Sequence, residues 1–144
     1  MTPNRSSGYK LTNEKAIRTI QAWKRVRNAN IVSVIDAFTS RNFGDSSLMI
    51  VTDYHPLSQT LSETHFASAS RFQPRTPTPH VQEATLWSYI IQIANALRSI
   101  HGAGLAARLI EPSKILVTSK NRIRLNGCGV LDICLLYTSD AADE

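Results

Sequence analysis

Few side chains in this 144-residue sequence can do chemistry, and their spacing brings little of it together. The carboxylates Asp53, Glu111 and Asp132 are far apart in the chain, and none has the sequence context of a general base or a metal site. Cys128 and Cys134 fit neither a zinc spacing nor a disulfide framework, and Cys128 reads as a small buried filler. His101 stands beside a loop but reads as a residue that packs or hydrogen-bonds at a helix end. Lys114 has the one side chain whose chemistry suggests a ligand, since an ammonium at the start of a strand can neutralise phosphate charge. A solvated lysine fits that position equally well. It lies in GLAARLIEPSKIL (104–116), an irregular loop without Asp, Asn or His.

The elements around that loop follow from hydrophobic spacing. Residues 12–27 predict an amphipathic helix, capped by Thr12 or Asn13, with Ile17, Ile20, Trp23 and Val26 on one face and Lys24, Arg25 and Arg27 at its C-terminal end. Trp23 is expected to be a packing anchor. NIVSVIDAF (30–38) and LMIVTDY (48–54) read as strands, the second nearly continuous in apolar residues and so buried on both faces. Residues 62–80 hold three of the six prolines and read as a loop. The stripe Leu86, Ile90, Ile93, Leu97 and Ile100 predicts a helix over 85–104, with Gly102 ending it in a left-handed conformation. KILVTS (114–119) and RIRLNG (122–127), joined by Lys120-Asn121, predict a hairpin. The fold class expected is α+β.

Composition narrows the setting. A 42% hydrophobic content suits a globular core, and no apolar run approaches the roughly 18 residues of a membrane span. MTPNRSSGYK has no apolar signal region, so a reducing intracellular compartment is expected. The net charge of +5 is uneven, with eight Lys/Arg against three Asp/Glu in residues 1–45. A basic surface suits RNA, nucleotide phosphates or an acidic partner.

The order of helix, Gly-ended turn, irregular loop and hairpin resembles the region around a protein-kinase catalytic loop. IHGAGLAARLIEPSKILVT resembles the stretch built on H-R-D-L-x-x-x-N. In that register Ala107 stands for the His, Arg108 keeps the Arg, Leu109 replaces the catalytic Asp and Lys114 the metal-binding Asn. GCG (127–129) stands where D-F-G belongs, with Gly127 at the magnesium-binding Asp. EKAIRTIQAWKRVRNANIVSVIDAF is similar to the αC helix and the strand after it, and SLMIVTDYHPLSQTL to the strand and hinge that meet adenine. The fold implied is a partial protein-kinase-like fold. Leu109 cannot accept a proton, and Lys114 and Gly127 cannot hold magnesium, so a pseudokinase without catalytic residues is expected.

The resemblance narrows further. GYKLTNEKAIRTIQAWKRV, DSSLMIVTDYHPLSQTL, WSYIIQIANALRSIHGAGLAAR and SKILVTSKNRIRLNGCGVLDI together resemble the regulatory subunits of the PAN poly(A) nuclease, in a fungal-like form. That resemblance implies a non-catalytic subunit of a cytoplasmic, P-body-associated mRNA deadenylase. It further implies homodimers, recruitment of the catalytic nuclease subunit, and ATP bound without hydrolysis and without a metal in this segment. The nucleotide contacts it implies are Asp53, Tyr54, His55, Pro56, Leu57, Ser58, Gln59 and Thr60, together with Ser113 and Lys114. An ordinary polar hinge is the plain alternative for residues 53–60.

The organisation expected is a short unmatched stub (1–7), a partial pseudokinase domain (8–133) and a tail (134–144) that matches nothing in the family and reads as non-native. The glycine-rich strands, the zinc finger, the segment for poly(A)-binding protein and the parts that grip poly(A) RNA and the nuclease are expected outside this chain. No membrane contact is expected. Apolar faces left uncovered, above all the Leu86–Ile100 stripe, predict a chain prone to aggregate or partly molten. Two other functions compete with the scaffold. One is an RNA-binding module using the basic first helix with Arg122 and Arg124. The other is a residual enzyme with migrated carboxylates.

Overall fold

The structure, a computed structural model, describes residues 14–44, 46–66 and 81–142. The chain opens with α1 (Glu14–Arg25), which buries Ala16, Ile20 and Trp23 along one face. Glu14 in its first turn and Lys24 and Arg25 in its last complement the helix dipole. The expected cap at Thr12 or Asn13 lies outside the described residues.

β1 (Val34–Ser40) and β2 (Ser47–Thr52) form an antiparallel hairpin, pairing Ala37 with Ile50 and Ser40 with Ser47. β2 is not buried on both faces: Val51 is exposed and its other residues are half-buried. Among the described residues that sheet has two strands, and Asp36, Phe38 and Val51 on one of its faces are exposed, so that face meets solvent. A second sheet has the order β3-β4-β5, all antiparallel, from β3 (Gln59–Thr60), β4 (Ile115–Ser119) and β5 (Arg122–Leu125). In β5 Ile123 and Leu125 point inward, and Asn121 takes the left-handed φ of 54° that the predicted hairpin turn needs. Val32 donates to Leu125 at 2.9 Å and Leu125 to Asn30 at 2.8 Å, which ties the segment after α1 to this sheet.

Two helices went unread in the sequence. α2 (Leu61–Phe66) occupies the start of the expected loop. It opens with a reciprocal cap: Thr60 N–H donates to Glu63 Oε2 at 2.8 Å, and Glu63 N–H to Thr60 Oγ1 at 3.1 Å. α4 (Val130–Ala142) continues through residues 134–142 of the tail read as non-native. Its Ile133 is fully buried with Ile20 and Ala37, and the Tyr137 hydroxyl donates to the Ser46 carbonyl at 3.2 Å.

The long helix α3 (Glu83–Gly102) places Tyr89, Ala96 and Ile100 in the main core with Trp23, Val26, Ile31, Ile123 and Leu125. The Leu86–Ile100 stripe is covered at one end only: Ile100 is buried, Ile93 and Leu97 are half-buried, and Leu86 and Ile90 are exposed. Gly102 does not make the left-handed turn. The helix continues through it, and Gly104, at φ 75°, turns the chain instead.

A polar network fixes the α1–β1 connection to α3. Asn30 Nδ2 donates to Gln92 Oε1 and to the Ile123 carbonyl, both at 2.9 Å, and Asn30 Oδ1 accepts from Asn95 Nδ2 at 2.9 Å. Asn28 Nδ2 donates to Ser99 Oγ at 2.7 Å. Every polar atom of the buried Asn30 side chain is thereby satisfied, which fixes the relative placement of the two elements. No helix among the described residues is long and apolar enough to cross a membrane.

Candidate functional site

The loop after α3 keeps its shape without its reactive groups. Leu105 N–H donates to the Ile100 carbonyl at 3.1 Å, closing the helix end, and Ala107 is buried in the core where the family's His stands. Leu109 N–H then donates to the Ala107 carbonyl at 2.8 Å across Arg108, whose φ is 64°. This is a tight three-residue turn with a non-glycine residue in the left-handed region, a conformation that costs roughly 1–3 kcal/mol unless the surroundings hold it. They do: Arg108 Nε pairs with Asp132 Oδ1, and Trp23 Nε1 donates to Asp132 Oδ2 at 3.2 Å. Asp132 therefore joins α1, the loop and α4. Sequence reasoning treated it as an isolated carboxylate, and nothing in its local spacing pointed to this role.

Past the turn, a 3-10 turn (Pro112–Lys114) leads into β4. Lys114 N–H donates to the Glu111 carbonyl and Asn126 N–H to the Lys114 carbonyl, both at 2.9 Å, so the Lys114 backbone is fixed between the loop and GCG. The side chains of Ser113 and Lys114 are exposed, and no ion pair engages Lys114 among the described residues.

The hinge residues divide into two groups. β3 pairs Gln59 with Val117 and Thr60 with Leu116, and α2 packs against the 3-10 turn. This brings Gln59 and Thr60 beside Ser113 and Lys114. The Thr60 hydroxyl already accepts from Glu63 N–H, so it serves the cap of α2. Asp53 N–H donates to the Ser33 carbonyl at 3.1 Å, holding the segment to the strand entrance. Ser58 Oγ donates to the His55 carbonyl at 2.8 Å, closing a turn in which Leu57 has a φ of 61°. Tyr54, Pro56 and Leu57 are exposed, and Leu57 wholly so. No hydrogen bond or ion pair among the described residues joins the side chains of Asp53 to Leu57 to the loop. Within this hinge, buried His55 Nε2 has no hydrogen-bond partner among the described residues.

The D-F-G place is filled differently. Gly127 and Gly129 have φ of 74° and 84°, and Cys128 between them is buried. Burial pushes its thiol from 9.0 up to about 11, which keeps it protonated and unreactive. His101, expected to pack or hydrogen-bond at the helix end, is exposed. Among the described residues no group of three His, Cys, Asp or Glu side chains is placed to hold a metal ion. Of the two hairpin cations, Arg122 is exposed, but Arg124 is half-buried and donates through Nη1 to the Ile31 carbonyl at 3.2 Å. The hairpin therefore does not present the pair as one free basic strip.

No family model matches the chain. The chain is 63% identical over 130 residues to the PAN2-PAN3 deadenylation complex subunit PAN3 of Coccidioides immitis, a match covering 90% of this chain and 20% of that protein. Against the same subunit from Aspergillus oryzae it is 61% identical over 140 residues, 97% of this chain and 21% of the relative. The solved Neurospora crassa PAN3 pseudokinase superposes with a TM-score of 0.72 at 51% identity, covering 89% of this chain and 30% of that one. The Drosophila melanogaster PAN3 pseudokinase gives a TM-score of 0.74 at 40% identity, over 88% of this chain and 32% of that one. Over the residues matched, the chain is similar to part of the PAN3 pseudokinases.

It spans about a fifth of the length of the curated relatives it matches. The partial kinase-like fold read from the sequence is the fold of these relatives. The solved relatives are pseudokinases, and in this chain Leu109, Lys114 and Gly127 stand at the three positions that phosphoryl transfer needs.

Proposed function

We propose that this chain is the nucleotide-binding scaffold segment of a cytoplasmic poly(A)-shortening nuclease complex, holding ATP without transferring its phosphate. The observation that carries the reading is the loop itself. A strained Arg108 turn is maintained by Asp132 although the proton acceptor and metal ligands are gone. Ser113 and Lys114 and the hinge Asp53–Thr60 would hold the nucleotide, with the Lys114 ammonium in place of magnesium charge. The exposed Lys114 side chain beside Gln59–Thr60, and His55 Nε2 without a hydrogen-bond partner among the described residues, fit that use. Bound ATP would supply stabilisation of the loop by linkage, about 2.7 kcal/mol at a hundredfold excess over Kd.

The catalytic nuclease subunit is the partner in this reading. Its support is the solved complex of Neurospora crassa PAN2 with PAN3, whose PAN3 chain superposes with a TM-score of 0.74 at 52% identity. Homodimerisation, poly(A)-binding protein and poly(A) RNA belong to the same proposal through the rest of the full-length protein. Reconstituting the nuclease with the full-length protein that contains this chain tests the reading. Association and faster shortening of a poly(A)-tailed RNA are expected, with no phosphate transferred from labelled ATP in magnesium or manganese. Phosphate transfer by the purified protein, or failure to associate with the nuclease, would sink it.

A further inference from the structure

A groove of about 660 Å³ lies away from the hinge and loop, between the first half of α3 and the tip of the β4–β5 hairpin. One wall is apolar: Trp87 is 57% exposed and Ile91 66%. The other wall carries Lys120 and Arg122, both exposed and neither ion-paired among the described residues. The walls are held at a fixed separation. Gln92 Nε2 donates to the Asn121 carbonyl at 2.7 Å, while Gln92 Oε1 accepts from Ile123 N–H at 2.9 Å, so one α3 side chain pins the hairpin tip. Trp87 Nε1 donates to Glu83 Oε1 at 3.3 Å, which orients the indole.

These commitments decide what the groove can recognise. The amides on its floor, Asn30 and Gln92, spend their hydrogen bonds within the protein and have little left to read a ligand. Recognition falls to the indole and Ile91 for an apolar group and to two cations for negative charge. Single-stranded RNA would require a longer track of cations and more than one stacking platform. A single aromatic beside an aliphatic residue, with paired cations opposite, suits a large apolar side chain flanked by carboxylates, and Trp and Arg are the residue types that dominate such interfaces. We propose that this groove docks a short acidic peptide segment of a partner protein, its apolar anchor on Trp87 and Ile91 and its carboxylates at Lys120 and Arg122. The site is independent of nucleotide binding at the loop.

The test uses the full-length protein containing this chain and three labelled probes read by fluorescence anisotropy. The probes are a short synthetic peptide of Asp and Glu around Leu and Phe, its counterpart with Lys for every acid, and oligo(A). The acidic peptide is expected to bind, to weaken with added salt, and to lose about tenfold or more in affinity with Trp87→Ala and with Lys120→Glu plus Arg122→Glu. Both changes are at exposed positions, and unchanged melting curves confirm that the variants fold. Absence of acidic-peptide binding, binding indifferent to both variants, or equal binding of the basic peptide overturns the proposal. Loss confined to oligo(A) overturns it also, and makes the groove an RNA surface.

Discussion

The indole of Trp23 occupies the space that a side chain at Gly129 would need: a Cβ there would sit 2.8 Å from Trp23 Cγ and Cδ2. The first helix thus closes directly onto the last residue of GCG, and Asp132 secures the contact by accepting the indole N–H. The contact falls two residues after Gly127, the position that stands for the magnesium-binding Asp and has open space around it.

Gly129→Ala is therefore expected to cost about 3 kcal/mol, combining the left-handed backbone penalty with overpacking against the ring. Gly127→Ala, also at positive φ but with open space around it, should cost only about 1–2 kcal/mol. Denaturant midpoints of the two variants check the contrast. Equal losses would mean that Trp23 moves aside freely.

Asp132→Ala removes the acceptor for both Trp23 and Arg108. It should destabilise by roughly 2 kcal/mol, because the indole N–H is left buried without a partner. Asp132→Asn keeps a carbonyl for Trp23 and loses only the charge pair with Arg108, whose side chain is 52% exposed. Solvent screening limits that loss to about 0–1 kcal/mol. Thermal melts of both variants give the comparison, and an Asn variant as weak as the Ala variant would contradict it.

Cys128 provides a pH test. Its thiol is raised from 9.0 to about 11 in the folded chain, so the folded state holds this proton more tightly than the unfolded state. The resulting stability is complete below pH 9 and fades as pH rises toward 11, and Cys128→Ala should remove that part of the alkaline loss. At neutral pH the half-buried Cys134 should be alkylated well before Cys128, as peptide mapping after brief iodoacetamide treatment would show. Rapid modification of Cys128 would contradict the burial argument.

The exposed end of the α3 stripe predicts surface behaviour. Leu86 and Ile90 are 46% and 52% exposed, so the isolated chain should bind a hydrophobic dye. Leu86→Glu with Ile90→Glu should reduce dye binding and aggregation while leaving helix content unchanged. Unchanged dye binding would place the apolar surface elsewhere.

Much of this arrangement was legible in the sequence because it is encoded locally. The spacing of Ile20 and Trp23, the β4–β5 alternation around Asn121, and the loss of Asp and Asn from the loop each follow from neighbouring residues. α2 was also legible, since Thr60-x-x-Glu63 is a capping-box pattern, but the prolines that follow drew its residues into a loop. What could not be read is what depends on distance along the chain. Asp132 lies 24 residues from Arg108 and 109 from Trp23, and no local pattern announces such a bridge. The hinge shows the same limit: strand pairing with β4 brings Gln59 and Thr60 beside the Pro112–Lys114 turn, whereas Tyr54 and Leu57 are exposed.

Whether the emptied loop is kept as a metal-free nucleotide site is tested most directly by titrating ATP into the full-length protein with magnesium and with EDTA, beside Lys114→Ala. Binding that persists in EDTA and weakens about tenfold or more in Lys114→Ala is the expected result. Binding that requires magnesium, or that ignores Lys114→Ala, would contradict the role assigned to this lysine. No binding under either condition would leave the loop as scaffold alone.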